Sequence, residues 1–351
     1  MKLATSALSF GPKIKIKLDL ILHAEKLGFD STWTAEAYGN DAVTTATWIA
    51  AKTTTLNVGT AIMQMPARTP AMTAMTATTL NQLSEGRFKL GLGPSGPQVV
   101  EGWHGVPYGK PLARTKEYIE IIRLIWEREE PLEYHGMHYD IPCKGEGTTG
   151  LGKPLKSILR GDSSIPIYTA SISPNGLRCA AEVADGVIPI MFDPERYDDL
   201  LKPHLEEGFA KAGGDSGKKK GLADFDVMTS CTVVISDDLE KAMVPVKAHL
   251  AQYIGGMGAR NKNFYNDYAK RMGFEAAAVE IQDLFLDGKR TEAVAAVPDE
   301  LVDAVHLVGS EGKIRDRLQA WKEAGRRGEV GTMLLGATQP EALELVAEEL
   351  L

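Results

Sequence analysis

Two short stretches of this sequence carry residue types suited to holding an anion. GLGPSG, residues 91 to 96, has the G-x-G-x-x-G spacing with which a dinucleotide-binding turn brings its backbone against a pyrophosphate. That fingerprint works when a strand runs into it and a helix opens directly out of it, because the helix N-terminus holds the phosphates. GRFKLGLG, residues 86 to 93, reads as a strand with Phe88, Leu90 and Leu92 alternating, but residues 94 to 111 are dense in proline and glycine. No helix is expected before Leu112, so the glycines end a strand and shape a long loop. In the second stretch, YTASISPNGLRCAAEVADG (168 to 186), a strand ends at Ala170, Ser173 can cap a helix and Pro174 fits its first position. Leu177, Ala181 and Ala184 form its apolar stripe. Ser171, Ser173 and the free N–H groups of that helix make a seat for an anion, or a cap that satisfies only itself.

Composition narrows the partners. The chain has 351 residues, 44% hydrophobic and 25% charged, and a net charge of -8 from 39 basic and 47 acidic residues. An acidic balance of this kind disfavours nucleic acid and anionic membranes. The KKK run at 218 to 220 lies among glycines and reads as a solvated loop. Cys143, Cys179 and Cys231 are too scattered for a disulfide framework and form no C-x-x-C, which points to a reducing, cytoplasmic setting. No signal peptide is expected, nor any run of the ~20 apolar residues a membrane span needs. HGMH, residues 135 to 138, has the spacing of a helical ligand pair, yet Gly136 sits in a hairpin-like segment, so no metal site is expected.

The elements that position these stretches alternate. Strands are expected at 2–9, 30–36, 56–63, 86–93, 165–170, 185–192, 224–236 and 329–337, with helices at 14–28, 42–53, 70–84 and 112–127 and a helical pattern after each later strand. In the first helix Ile14, Leu18, Ile21, Leu22 and Leu27 share a side. Two insertions interrupt the alternation, one around 130–165 and a mostly helical one around 255–325. Eight alternations with no return of strand order predict a single-domain α/β fold over residues 1–351, a (β/α)8 TIM barrel. Its chemistry belongs at the C-terminal strand ends: Ser9, Glu36 to Tyr38, Ala61 to Gln64, Gly93 to Gln98, Ala170 to Asn175 and Met191. The glycine-rich loop after strand four and the capped helix after strand five open on the same rim and can grip one phosphate between them. A phosphorylated planar cofactor across the mouth, its ring over strands one to three, is the economical inference.

GTAIMQMPARTPAMTAMTATTL, GRFKLGLGPSGPQVVEGWHGVPY and SISPNGLRCAAEVADGVI resemble segments of the luciferase-like monooxygenase superfamily, in its coenzyme F420-dependent branch near methylenetetrahydromethanopterin reductase-like proteins. The likeness extends to ELVDAVHLVGSEGKIRDRLQAWKEAG, residues 300 to 325, nearly the whole chain. It implies a luciferase-like barrel, commonly dimeric, with a non-prolyl cis peptide at Ala61-Ile62 backing the ring. The cofactor seat it implies is Thr60, Ala61, Ile62, Gln64, Gly93, Pro94, Ser95, Gly96, Ala170, Ser171 and Ser173. Arg68 could reach a cofactor carboxylate or phosphate, or form a rim salt bridge.

The sequence departs from the family where the reaction is decided. Relatives with an acid followed by histidine after strand two are answered here by Glu36 and Ala37, and the glutamate of sugar-phosphate dehydrogenases aligns with Gly96. Glu36 is the leading acidic candidate, as a proton donor if its carboxyl is partly buried, or as a structural partner of a neighbouring lysine or arginine. Tyr38 and His104 are further candidates, His104 being equally suited to a loop hydrogen bond. The expectation is an F420-dependent oxidoreductase moving a hydride between the deazaflavin C5 and a small organic substrate, with reduction of C=N, C=C or C=O favoured. The alternatives are an FMN-dependent monooxygenase and a flavin-binding protein without catalysis, and a homodimer is expected in each case.

Overall fold

Short β-branched runs that cannot bury both faces alone are joined by helices, and the lowest-cost way to leave no open sheet edge is to close the sheet on itself. The computed structural model, which describes residues 1–7, 11–212 and 220–351, shows that closure. Its barrel strands are β1 (Lys2–Ser6), β2 (Ser31–Thr34), β3 (Asn57–Thr60), β4 (Phe88–Gly93), β5 (Ile167–Ala170), β6 (Gly186–Ile188), β7 (Asp226–Ile235) and β8 (Thr332–Ala337). Each pairs in parallel with the next, and β8 returns to β1 with Met333 opposite Leu3. The fold is an eight-stranded parallel barrel wrapped by helices, as the alternation implied.

The barrel is filled, not hollow. Ala4, Trp33, Tyr168, Ile188, Met228 and Leu334 pack together inside it, with Ala61, Ile62 and Ala170 partly exposed above them. Trp33 meets Tyr168 edge-on, ring centroids 5.2 Å apart at 78°. Its indole fits because Gly59, its neighbour in register on β3, has no side chain: a Cβ there would lie 2.4 Å from the indole ring. The indole N–H donates to Ser31 Oγ at 2.9 Å, so its polar atom is satisfied.

Several elements differ from the sequence reading. The first helix is Leu18–Lys26, not 14–28: Ile14 precedes it and is exposed, because the IKIK alternation has no helical period and Lys17 offers no side-chain cap. A six-residue helix, Pro97–Gly102, opens directly after GLGPSG, where only loop was expected. Pro97 fits a first helical turn, and burial of Val100 supplies the anchor that local composition hides. Helix Pro111–Glu127 then follows. The insertion around 130–165 holds the expected hairpin, Tyr134–His135 against Asp140–Ile141, and His135 of HGMH pairs there with Asp140 at 2.6 Å. Ser9 and Lys218–Lys219 lie outside the described residues. Lys220 is not simply solvated: it is half-buried, donates to the Ala184 carbonyl and sits over the Phe225 ring, and burial lowers its pKa to about 8.

The second insertion contains a strand that helical patterning concealed. The upper part of β7 pairs with Leu307–Gly309, Val233 opposite Leu307. Before it, helices Leu239–Ala251, Phe264–Arg271, Glu275–Leu286, Arg290–Ala295 and Asp299–Val305 form a cap, with one π-helical turn at Gln252–Gly256. His306 stands where cap meets barrel, buried, its Nδ1 accepting the Thr232 N–H at 3.1 Å.

Burial, helped by the charge of nearby His249, pushes the His306 pKa from the ordinary 6.5 down to about 3. The unfolded chain takes up this proton at higher pH than the folded one, so its contribution to stability is complete above 6.5 and is lost as pH falls towards 3. His306→Asn keeps an acceptor for Thr232 and removes the titration. Urea unfolding of both forms at about pH 7 and about pH 4.5 should show the variant losing less stability on acidification, by up to about 1.4 kcal/mol per pH unit.

Candidate active site at the barrel mouth

The site begins at the end of β3. After Thr60 the chain bulges through a cis Ala61–Ile62 peptide before Met63–Gln64 rejoins β4, with Gln64 opposite Gly93. The cis bond is where the resemblance implied it. Two glycines of GLGPSG belong to this packing rather than to an anion: a Cβ on Gly91 would lie 1.8 Å from the Thr60 carbonyl oxygen, and one on Gly93 would lie 2.8 Å from the Ile62 side chain. Thr60 Oγ1 locks the contact, donating to the Gly91 carbonyl at 2.8 Å and accepting the Gly91 N–H at 3.0 Å. Ser95 adopts a left-handed conformation, φ 60°, while Pro94 and Gly96 are half-exposed in the turn, and a Cβ on Gly96 would meet nothing.

Glu36 is built into the base of the bulge. Its side chain is 6% exposed, and its Oε1 accepts from Arg68 at 2.5 Å and from the Gln64 N–H at 2.8 Å. Oε2 accepts the Ala42 N–H at 3.1 Å, and the Glu36 N–H donates to the Ile62 carbonyl at 3.2 Å. Arg68 also binds Asp41, whose carboxylate caps helix Ala42–Ala50 by accepting the Thr44 N–H. Burial works against the Arg68 charge, but the hydrogen bond and charge of Glu36, with Asp41 behind them, hold the guanidinium above its ordinary pKa. Of the two roles open to Glu36, the geometry fits the structural partner: with three donors on it, the carboxylate is an acceptor and a brace. Arg68, likewise, is turned to Glu36 and Asp41.

Gln64 carries the brace outward. Its side-chain amide donates to the Ala37 carbonyl at 2.5 Å, and its Oε1 lies 3.4 Å from His104 Nε2. His104 is thereby brought to the bulge from the loop after helix Pro97–Gly102, the nearest imidazole to this rim among the sequence candidates. Tyr38, on the β2 loop, is more than half exposed.

Across the mouth, the end of β5 makes the second half. Ser173 caps helix Pro174–Val183, its Oγ accepting the Gly176 N–H at 3.2 Å, and Leu177, Ala181 and Ala184 are buried as the stripe required. Gly176 gives this helix start its clearance: a Cβ there would fall 1.8 Å from Ser171 Oγ and 2.8 Å from Ser173 Oγ. Two hydroxyls therefore crowd the start of a helix whose Pro174 has no N–H and whose Gly176 and Leu177 N–H groups are already accepted by Ser173, adjacent to the GLGPSG turn because β4 and β5 are neighbours. The bulge's own Ala61 and Ile62, with Ala170 at the end of β5, are partly exposed and pack on the filled barrel as an apolar platform.

A barrel with this bulge and rim is matched by a family model. The chain belongs to the luciferase-like monooxygenase family, whose model covers residues 3–328. It is 45% identical over 310 residues to a Mycobacterium tuberculosis protein with the provisional name coenzyme F420-dependent oxidoreductase Rv3520c, covering 88% of this chain and 87% of that one. It is 28% identical over 334 residues to the Archaeoglobus fulgidus 5,10-methylenetetrahydromethanopterin reductase, covering 93% and 92% of the two chains. Its fold matches the coenzyme F420-dependent tetrahydromethanopterin reductase of Methanopyrus kandleri with a TM-score of 0.77 at 23% identity, covering 99% of this chain and 97% of that one.

The brace makes a sharp prediction. Arg68→Ala leaves the Glu36 carboxylate buried without its cation and should cost about 3–5 kcal/mol in urea unfolding. Adding Glu36→Gln should recover most of that loss, since the buried charge is gone. Gly91→Ala should destabilise by about 2 kcal/mol or more, because its new methyl group meets the rigid Thr60 carbonyl rather than a movable side chain.

Proposed function

We propose that the protein is an F420-dependent oxidoreductase that moves a hydride between the coenzyme and a small organic substrate, reduction of C=N, C=C or C=O being the favoured direction. The observation that carries this reading is the apolar platform Ala61–Ile62–Ala170, formed by the braced cis bulge itself and the end of β5, beside a doubly hydroxylated helix start. A flat, apolar ring with a phosphorylated tail has that division of chemistry. The fit is favourable on the tail side as well: the clearance at Gly176 brings the Ser171 and Ser173 hydroxyls to one point at the helix start. Thr60, Ala61, Ile62 and Gln64 would support the ring, with Gly93 giving the Ile62 side chain its clearance, and Pro94, Ser95 and Gly96 with Ala170, Ser171 and Ser173 would hold the tail. When bound, the coenzyme supplies or accepts the hydride at its deazaflavin C5.

The chain's own part is positioning and the proton. The bulge keeps one side of the platform fixed through Glu36 and Arg68, so the substrate must approach from the other. His104, hydrogen-bonded to Gln64, is the proton-handling group favoured by this arrangement, with Tyr38 second. The loop at 94–111 would exclude water, whereas residues 156–162 lie at the far ends of helices Pro70–Leu83 and Pro111–Glu127, bonded to Asn81, Gln82, Arg128 and Glu129. We further propose a homodimer, because helices Ala42–Ala50 and Pro70–Leu83 contain no charged residue yet leave Trp48, Met72 and Met75 exposed. Three unpaired cysteines suit a reducing, cytoplasmic setting.

Titrating the purified protein with F420 and with FMN, followed by fluorescence, tests the assignment. F420 should bind; tight FMN binding with no F420 binding would instead favour a flavin monooxygenase. Ser173→Asp places a like charge at the tail and should weaken F420 roughly ten- to hundredfold. Light scattering should give twice the monomer mass, and Trp48→Glu combined with Met75→Glu should give the monomer.

A further inference from the structure

The polar half of the mouth, as built from β5 and its helix, has hydroxyls but no cation. Ser171 and Ser173 converge there, Pro174 has no N–H, and the Gly176 and Leu177 N–H groups already donate to Ser173. Two neutral hydroxyls compensate a phosphate poorly once it leaves water, because the strong contacts to such an anion come from charged donors. The basic side chains of the surrounding barrel are spent elsewhere. Arg178 donates through Nε and Nη2 to Glu207 and through Nη1 to Asn175 Oδ1, Lys116 is paired with Glu182, and Arg68 with Glu36 and Asp41.

The cap insertion brings a cation to the same place. Arg271, the last residue of helix Phe264–Arg271, donates from Nη2 to the Ile172 carbonyl at 2.6 Å. Ile172 stands between Ser171 and Ser173 in the chain, and adjacent Cα atoms are only ~3.8 Å apart, so the guanidinium lies beside both serines. That bond uses one of the five N–H groups a guanidinium carries. No ion pair among the described residues includes Arg271; Asp267, one turn earlier on its helix, acts on it only through its charge. The side chain is half-buried and fixed from behind, its Cζ 5.1 Å from the centre of the fully buried Tyr268 ring. A second tie holds the end of this helix: Arg196, from the loop after β6, donates to the Met272 carbonyl at 2.5 Å. A half-buried arginine without a carboxylate, clamped against the loops after β5 and β6, is a preorganised donor for an anion, since the loss of its water has already occurred in the folded chain.

We propose that Arg271 is the cation of the tail seat, binding the coenzyme's phosphate together with the Ser171 and Ser173 hydroxyls, so that a residue of the cap selects phosphorylated over unphosphorylated cofactors. The proposal rests on the F420 reading for the identity of the coenzyme. Its test is fluorescence titration of wild type, Arg271→Gln and Arg271→Lys with F420 and with the ribityl deazaflavin core that lacks the phosphate tail. Arg271→Gln removes the charge and keeps an amide able to donate to Ile172; it should weaken F420 about ten- to hundredfold and leave the core within about twofold of wild type. Arg271→Lys keeps the charge without the planar fork and should weaken F420 less, about three- to tenfold. Equal weakening of F420 and the core would assign Arg271 to holding the cap alone and overturn the proposal, as would F420 affinities unchanged in both variants. Should the protein bind FMN and not F420, the function proposed above falls, and the same variants titrated with FMN and riboflavin decide the role of Arg271: selective weakening of FMN upholds it, equal or absent weakening overturns it. Binding of neither phosphorylated cofactor would overturn both.

Discussion

A carboxylate buried almost completely under a guanidinium governs the mouth of this barrel. Glu36 accepts three hydrogen bonds while lying between β2 and β3, and an isolated charge at that depth would be expelled or neutralised. Arg68 makes the burial tolerable, and Asp41 shares the arginine. The consequence is geometric: the β2 loop, the turn after the bulge and the N-terminus of helix Ala42–Ala50 are bound to one another through a single ion network. The value of such a pair lies less in net stability than in permitting one arrangement of these loops.

That arrangement rests on a barrel whose interior is occupied. Trp33, Tyr168, Met228 and Leu334 leave no passage through the centre, so a ligand at the mouth rests on a floor rather than entering a pore. Three glycines permit the packing above and within this floor. Gly59 admits the indole, Gly91 the Thr60 carbonyl and Gly93 the Ile62 side chain. Each is a steric clearance, which explains a glycine-rich strand end without reference to an anion.

The two halves of the mouth therefore work by different physics. The β3 half is apolar and fixed by a buried ion pair; the β5 half is polar, with the Ser171 and Ser173 hydroxyls converging where Gly176 leaves room. The cap is held to the barrel by a hydrogen bond from Arg271 and by the parallel pairing of Leu307–Gly309 with β7.

Local pattern alone revealed the order of eight strands, the cap at Ser173, the stripe of Leu177, Ala181 and Ala184, and the hairpin insertion, because each depends on residues within a few positions of one another. The cis bond at Ala61–Ile62 was accessible only through resemblance to a family. What tertiary structure decided is whatever depends on distant partners. Glu36 and Arg68 lie 32 residues apart, so no window of sequence could tell a paired carboxylate from a proton donor. Helix Pro97–Gly102 is poor in helical propensity and forms around the burial of Val100; Leu307–Gly309 is too short to read as a strand without β7 beside it. Periodicity records which face a segment buries, but the identity of the atoms it is buried against is set by closure of the barrel.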